Sequence, residues 1–332
     1  MSAPSTLSVP HPHGYLPPLL SPSLQLATRD SQLATRVIPS AAVVRVTVRL
    51  LKVVPMPIAR AVGWVAGTVA WVLLAGRRRV LLENFSYLAP EVSPSRRRRL
   101  ARRTFRNQID ASLHLFRLPS MSREELLGLI QVEGLDRIDE AIALGRGLII
   151  VTGHLGPYEL GGAWMAANGY RVHAMVEDLD PETLEAMARY RRATGMELIS
   201  MTAGIRAVYR LLDDRGIVLL VADRVIGDSR GGVEVPFGRG VRPVPTGPAT
   251  FAMMRGTPII VGHIVVNPDR GPRYLMYFYP PLLPEGRGEE ERIRLTRLVT
   301  EHISTSARRF PDQWYVFQPQ WVNRVSHGSG RT

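Results

Sequence analysis

His154 and Glu159 lie five positions apart in the segment Thr-Gly-His-Leu-Gly-Pro-Tyr-Glu, directly after the apolar run 148–151. The run predicts a buried strand, which places His154 at the strand's carboxyl end, where α/β sheets carry their sites. The glycine and proline between the two residues turn the chain into a helix, which can bring the carboxylate back beside the imidazole. An imidazole can take a proton from an alcohol near neutral pH, and a carboxylate partner holds its tautomer and stabilises the imidazolium. The pair is therefore a candidate base for acyl transfer to a hydroxyl, although the same spacing also suits a strand-end hydrogen bond and a helix cap.

Asp223 and Arg224 follow a second predicted strand, the apolar run 217–221. Because the carboxyl ends of parallel strands meet at one edge of a sheet, we expect Asp223 to lie at the same edge as His154. Arg224 either contacts a substrate or forms a structural ion pair with Asp223.

The elements that must position these side chains alternate along the chain. Apolar runs typical of strands buried on both faces occur at 148–151, 172–176, 217–221 and 259–266. Helical stretches lie at 158–168, 181–194, 205–213 and 248–255. Earlier helices begin at Ser93-Pro94 and at a capping box formed by Ser122 and Glu125. The alternation predicts an α/β fold with a mostly parallel mixed sheet flanked by helices.

The chain is basic and contains no cysteine. Its 332 residues carry 42 Lys plus Arg against 29 Asp plus Glu, a net charge of +13, and ten arginines fall within 77–106. Such a block attracts nucleic-acid phosphates or anionic lipid head groups. Its arginine runs at 77–79 and 96–103 contain no interleaved aromatic residue, and the block adjoins an apolar stretch, so we expect anionic membrane lipids as partners and no nucleic acid. The absence of cysteine excludes disulfides and thiolate chemistry. The sequence also has no histidine motif typical of a metal site, so we expect no metal.

The apolar stretch upstream of the arginines predicts a helix that binds the membrane. Sixteen uncharged residues separate Arg60 from Arg77 and include Trp64 and Trp71, fewer than the ~20 of a straight membrane-spanning helix. We favour a monotopic helix, with a single span or a buried core helix as alternatives. The sequence predicts a disordered leader at 1–40 and a membrane-binding helical region at 41–120. An α/β domain at 121–324 and a disordered tail at 325–332 follow.

Two other classes of protein fit parts of the sequence. A serine hydrolase would use Ser229, since Gly227 to Gly231 fits the pattern G-x-S-x-G. A nucleophile elbow needs a strand before the serine and a helix after it, whereas Ser229 precedes Gly232 and a short Val-Glu-Val strand. The second alternative is a non-enzymatic basic protein that binds membranes or nucleic acid.

Several segments resemble, in the same order, the bacterial lipid A biosynthesis lauroyl/myristoyl acyltransferase family and the related phosphatidylinositol mannoside acyltransferases. The segments are Arg78-Arg79-Val80 with Asn84, His154 to Glu159, Arg189-Tyr190-Arg191, Ala222-Asp223-Arg224, 233–238, Thr246-Gly247, 255–258, and 311–314 with Trp321. The resemblance implies a glycerolipid-acyltransferase-like fold with N-terminal membrane-associated helices. It further implies transfer of a fatty acyl chain from acyl-CoA or acyl carrier protein to a glycolipid hydroxyl, at the cytoplasmic face of the bacterial membrane and without a further cofactor. The segment Phe-Gln-Pro-Gln-Trp at 317–321 departs from the family's basic segment and favours the glycolipid enzymes of bacteria without lipid A.

The resemblance also implies roles for individual residues. His154 would act as the base and Glu159 would orient it, while Arg191 and Asp223 would support the site. Arg191 could hold a phosphate or the developing oxyanion, or be one more surface arginine.

Three further residues are candidates for binding substrate. Thr246 and Gly247 begin a predicted helix, whose amino terminus can hold anionic groups. Glu234 stands where the family often has an apolar residue. It would face the acceptor sugar or His154, or else point into water from an alternating strand.

Overall fold

The structure is a computed structural model that describes residues 49–51, 53–176, 194–200, 204–225, 232–269 and 271–322. The predicted leader 1–40, the tail 325–332 and most of the predicted helix 181–194 lie outside these ranges. Arg191 and Ser229 lie outside them as well.

Seven strands form the main sheet, in the order β1-β9-β8-β2-β5-β3-β4. They are β1 (Ile130–Glu133), β2 (Leu148–Thr152), β3 (Val172–Val176), β4 (Glu197–Ser200), β5 (Ile217–Val221), β8 (Ile259–Val266) and β9 (Tyr274–Phe278). Strands β8 and β9 pair antiparallel, and every other pair in this sheet is parallel. A separate antiparallel hairpin consists of β6 (Gly232–Phe237) and β7 (Gly240–Pro245).

Nine α-helices lie within the described residues from Met56 onward. They are α1 (Met56–Leu73), α2 (Ala75–Leu88), α3 (Pro94–Arg117), α4 (Arg123–Gly128), α5 (Leu135–Ala143), α6 (Tyr158–Ala167), α7 (Ile205–Asp213), α8 (Gly247–Arg255) and α9 (Glu289–Arg309). Short 3-10 helices occur at Leu118–Ser120 and Pro311–Gln313. The predicted capping box is confirmed, because Ser122 Oγ accepts from the N–H of Glu125 and the Glu125 carboxylate accepts from the N–H of Ser122.

The predicted fold class is confirmed: the sheet is mixed, mostly parallel and flanked by helices. All four apolar runs are strands. The prediction missed β1 and β4, edge strands whose partly exposed positions carry polar residues. It also missed β9, which is built from aromatic residues, Leu and Met instead of β-branched residues.

Helices α2 and α3 share the core of the sheet. Leu81, Phe85 and Leu88 of α2 are fully buried, and Phe105 of α3 packs in the same cluster as Val151 of β2. Burying a large apolar side chain stabilises a fold by roughly 1.5–3 kcal/mol, so these helices belong to the folded body. The predicted division at residue 120, between a membrane-binding region and the α/β domain, remains a prediction.

Helix α1 is apolar but exposed. By length and composition it could cross a membrane, and its buried positions are Ala59, Gly63 and Gly67. A Cβ at Gly67 would lie 2.8 Å from Cα of Arg106, so the glycine allows α1 to pack closely on α3. Seven large apolar side chains of α1 are exposed, namely Ile58, Val62, Trp64, Val65, Val69, Val72 and Leu73. The alternative of a buried core helix is therefore wrong.

Candidate active site

His154 lies in the loop between β2 and α6, and its backbone is tightly packed. Gly153 precedes it, where a Cβ would lie 3.1 Å from Oδ2 of Asp223. Gly156 follows with φ of +61°, and a Cβ there would lie 1.9 Å from the carbonyl oxygen of Ile264. Glycine adopts this left-handed conformation without steric cost and leaves room for the neighbouring strand. The Gly-His-Leu-Gly pattern therefore shapes the loop that carries the imidazole.

A buried carboxylate orients His154. Asp223 follows β5, which pairs in parallel with β2, so both residues lie at one sheet edge, as expected. Nδ1 of His154 lies 2.6 Å from Oδ1 of Asp223, and the backbone N–H of His154 donates to Oδ2 at 2.8 Å. The indole Nε1–H of Trp314 also donates to Oδ2, at 2.9 Å. These contacts hold the carboxylate by three donors and make Nδ1 the protonated ring nitrogen.

The electrostatic surroundings keep Asp223 ionised. Complete burial acts to raise the pKa of Asp223, but His154 opposes it through its charge and hydrogen bonds, and the charge of Arg242 adds to that effect. The pKa of the carboxyl therefore lies well below its ordinary value. An ionised Asp223 stabilises the positive charge that forms on His154 when the imidazole accepts a proton.

The other ring nitrogen of His154 carries the lone pair and faces an arginine. Nε of Arg224 donates to Nε2 of His154 at 3.3 Å, and Nη1 of Arg224 donates to Oε1 of Gln318 at 3.4 Å. Arg224 thus lies in contact with the imidazole. A substrate hydroxyl that donates to Nε2 would take the place of this weak hydrogen bond.

The histidine loop, residues 153–157, is hydrogen-bonded to residues 313–316, here called the C-terminal segment. The N–H of Tyr315 donates to the carbonyl of His154 at 2.7 Å, and the N–H of Gly156 donates to the carbonyl of Gln313 at 2.8 Å. Asn84 secures this segment, because its Nδ2 donates to the carbonyl of Val316 at 2.7 Å. These backbone hydrogen bonds limit the movement of the loop that carries the imidazole.

A cavity of about 130 Å³ opens beside the imidazole. Its walls come from α3, the histidine loop, the start of α6 and the C-terminal segment; they are Gln108, Ala111, Ser112, Leu115, His154, Gly156, Pro157, Tyr158, Glu159, Leu160 and Tyr315. The cavity has room for one small reacting group next to His154. Within the described ranges, no group of three or more histidine and acidic side chains is arranged to hold a metal ion.

Glu159 lies on this cavity wall, in the first turn of α6. From the sequence we expected its carboxylate to orient the histidine. The structure places Asp223 at Nδ1 instead, since the parallel pairing of β2 and β5 brings these two strand ends together. Any role of Glu159 in the reaction is therefore exerted from the cavity side.

The remaining predicted residues lie in different places. Glu234 is exposed on β6, in the alternating pattern that points it into water. Thr246 is buried at the N-cap of α8, and neither it nor Gly247 lines the cavity beside His154. Their predicted binding roles, like that of Arg191, remain predictions.

Two residues in contact with the site elements were not assigned roles from the sequence. Trp314 belongs to the Pro-Asp-Gln-Trp segment, and its complete burial and hydrogen bond to Asp223 make it a second partner of the carboxylate. Arg242 is completely buried on β7. The signal for Arg242 was an arginine at an inward-facing position of the alternating strand Gly-Val-Arg-Pro-Val-Pro.

Comparison with known proteins shows the family of this chain. A phosphatidylinositol mannoside acyltransferase of Mycolicibacterium smegmatis is 29% identical over 217 residues, which cover 64% of this chain and 68% of that protein. One from Mycobacterium tuberculosis is 29% identical over 219 residues, covering 64% and 67%. The crystal structure of the 1-acyl-sn-glycerophosphate acyltransferase PlsC from Thermotoga maritima aligns at a TM-score of 0.36 and 16% identity, covering 77% of this chain and 100% of that one. The family model of bacterial lipid A biosynthesis acyltransferases matches residues 30–323, and this chain belongs to that family of acyltransferases.

Proposed function

We propose that the enzyme transfers a fatty acyl chain from an acyl thioester to a hydroxyl of a glycolipid, with His154 as general base. The observation that carries the proposal is the 2.6 Å contact between Nδ1 of His154 and buried Asp223, which leaves the lone pair on Nε2 of an imidazole that lines a cavity. The names of the relatives, phosphatidylinositol mannoside acyltransferases, support the acceptor class. A glycolipid of that type is the acceptor that we favour over a lipid A type.

The reaction uses His154 twice. Nε2 accepts the proton of the acceptor hydroxyl as the oxygen attacks the thioester carbonyl, and Asp223 stabilises the resulting imidazolium. The C–S bond of the tetrahedral intermediate then breaks, the ester remains on the acceptor, and the imidazolium returns the proton to the leaving thiolate. No covalent acyl-enzyme is needed, since the hydroxyl attacks the donor directly.

Basic side chains and a helix amino terminus would hold the negative charges of this reaction. Arg224 already contacts Nε2, and it could turn to the developing oxyanion or to a phosphate when the hydroxyl displaces it. Arg191 and the start of α8 at Thr246 and Gly247 are the other proposed anion-binding groups. The donor is acyl-CoA or acyl carrier protein, and both carry a phosphopantetheine thioester.

The membrane is the proposed location of the reaction. Helix α1 exposes a run of valines and a tryptophan, and six exposed arginines of α2 and α3 lie close by in the chain. These arginines are Arg79, Arg96, Arg98, Arg99, Arg102 and Arg103. Exposed apolar surface next to a basic cluster is typical of a helix seated on anionic lipid. We place the enzyme on the cytoplasmic face, where acyl thioesters are made.

The test combines the purified enzyme, radiolabelled acyl-CoA or acyl carrier protein, and glycolipids extracted from bacterial membranes. We expect label to appear in a glycolipid ester with the wild-type enzyme and to fall by at least roughly 10³-fold with His154→Ala. Gln131→Ala, a change on the distant edge strand β1, is the matched control. An undiminished rate with His154→Ala would overturn the mechanism, and transfer of label to water alone would overturn the acceptor.

A further inference from the structure

Arg242 is a completely buried arginine that makes no salt bridge to a described residue. Its Nη2 donates to Oε1 of Gln320 at 3.2 Å, while Nε and Nη1 have no hydrogen-bond partner in the described part of the chain. Removing a guanidinium from water without an ion partner costs several kcal/mol, so buried arginines are normally paired. The position of this charge therefore needs an explanation.

Three aromatic rings enclose the guanidinium. Its central carbon lies 5.2 Å from the ring centroid of Phe237, 5.1 Å from that of Trp314 and 5.2 Å from that of Trp321. Phe237 stacks on Trp314 with centroids 5.2 Å apart. Desolvated cation–π contacts contribute roughly 2 kcal/mol each and offset part of the burial cost. Arg242 and Phe237 therefore fix the plane of the Trp314 indole.

The indole connects this charge to the active site. Its Nε1–H donates to Oδ2 of Asp223, whose Oδ1 contacts Nδ1 of His154. Burial lowers the pKa of Arg242 to about 10, with Asp223 opposing this shift, so the guanidinium remains charged at neutral pH. A buried positive charge thus lies close enough to Asp223 for the two groups to interact electrostatically.

We infer that Arg242 is a positioning residue of the acyl transfer: it fixes the Trp314 indole whose N–H donates to Asp223, the partner of His154, and it buries a positive charge next to that indole. The inference rests on the proposed function, in which His154 is the base. Arg242 acts through Trp314 and Asp223 and does not touch the substrate.

The protonation of His154 should respond to this charge. Among the residues that the structure describes, the titratable and charged groups around the imidazole and its carboxylate are Asp223 and Arg224 after β5, Tyr158 and Glu159 on α6, Tyr315 in the C-terminal segment, His263 on β8, and Arg242 on β7. Loss of the guanidinium charge removes a repulsion from the imidazolium, so His154 would hold its proton to a higher pH. Because neutral His154 is the base, the acidic limb of kcat/KM would move upward.

The experiment compares Arg242→Met, which removes the charge, with Arg242→Lys, which keeps it. NMR titration of the His154 imidazole in the full-length enzyme gives the midpoint without turnover, and the pH profile of kcat/KM gives it during catalysis. We expect both midpoints to rise by roughly 0.5–1 pH unit in Arg242→Met and kcat to fall. The rise is smaller than the shift that a charge in direct contact with the imidazole would cause. Arg242→Lys should keep the wild-type midpoint.

An unchanged midpoint in folded Arg242→Met, or an equal shift in Arg242→Lys, would overturn the inference. If Arg242→Met does not fold, Arg242→Gln removes the same charge and keeps a donor for Gln320. Failure of the proposed function is distinguishable, since His154→Ala would then transfer acyl groups at the wild-type rate, whatever the NMR midpoint does.

Discussion

Nδ1 of His154 lies 2.6 Å from Oδ1 of Asp223, a residue 69 positions further along the chain. The same carboxylate accepts the backbone N–H of His154 and the indole N–H of Trp314. This arrangement assigns one proton to Nδ1 and directs the lone pair of Nε2 away from Asp223. The histidine can then serve as a base only while the carboxylate remains a pure acceptor.

Asp223→Asn should abolish most of the activity while leaving the fold intact. The amide NH₂ would donate to Nδ1, which reverses the tautomer and puts the proton on Nε2, where the base must accept one. We expect kcat to fall by roughly 10³–10⁴-fold, as loss of the tautomer-holding carboxylate does in catalytic triads. Initial rates of ester formation measure the effect.

Glu159→Gln is the matched comparison, since it changes the other carboxylate of the site to its amide. Glu159 lies on the cavity wall, so we expect a smaller loss of kcat together with a change in KM for the acceptor. A larger loss in Glu159→Gln than in Asp223→Asn would show that Glu159, not Asp223, is the main partner of the base.

Gly156→Ala should disrupt the histidine loop. The new methyl group would lie 1.9 Å from the carbonyl oxygen of Ile264, and the backbone has φ of +61°. We expect a loss of more than about 3 kcal/mol in the free energy of unfolding, because strand β8 must move. Urea denaturation measures it.

Gly169→Ala separates the two causes of that loss. Gly169 also has positive φ, +88°, but a Cβ there would meet no atom within 4 Å. Its substitution should cost about 1 kcal/mol, the backbone contribution alone. Equal losses at both positions would mean that contact with Ile264 contributes nothing.

Acid should destabilise the protein through His263. This imidazole is buried on β8, and burial lowers its pKa from 6.5 to about 3. Between these two values the unfolded chain binds a proton that the native state does not, so the free energy of unfolding falls as the pH falls. The slope for one such proton is about 1.4 kcal/mol per pH unit.

His263→Gln should reduce that slope by the contribution of about one proton. The free energy of unfolding is measured by urea denaturation at several pH values from 6.5 down to 3.5. His302→Gln is the control, because the half-buried imidazole of His302 should have a smaller effect. The assignment to His263 is wrong if the slope of His263→Gln equals that of the wild type.

Helix α1 should carry the membrane affinity. Val65 and Val69 are about half exposed, so Val65→Glu with Val69→Glu adds charge to the apolar surface without opening the core. We expect the partition coefficient onto anionic liposomes to fall by roughly 10-fold or more, measured by flotation. Leu144→Glu with Leu283→Glu changes equally exposed apolar residues elsewhere and should leave binding unchanged. Equal losses in both double variants would place the affinity outside α1.

The local sequence determined much of the fold. Continuous aliphatic runs predicted β2, β3, β5 and β8, because strands buried on both faces need apolar residues at every position. Ser122 and Glu125 predicted their capping box, since those contacts close within one helical turn. The edge strands β1 and β4 were missed because part of each surface faces solvent and the pattern is broken.

The sequence by itself determined that His154 stands at a strand end and that Asp223 would share its sheet edge. Only the tertiary structure decided which carboxylate holds the imidazole: β2 and β5 are direct neighbours, and so Asp223, not the nearby Glu159, reaches Nδ1. The positions of Trp314 and Arg242 likewise depend on how distant segments pack. Trp314 contacts Asp223 across 91 residues of the chain, and Arg242 is a charged residue that is completely buried. Local chemistry determines which groups can react, and long-range packing determines which of them meet.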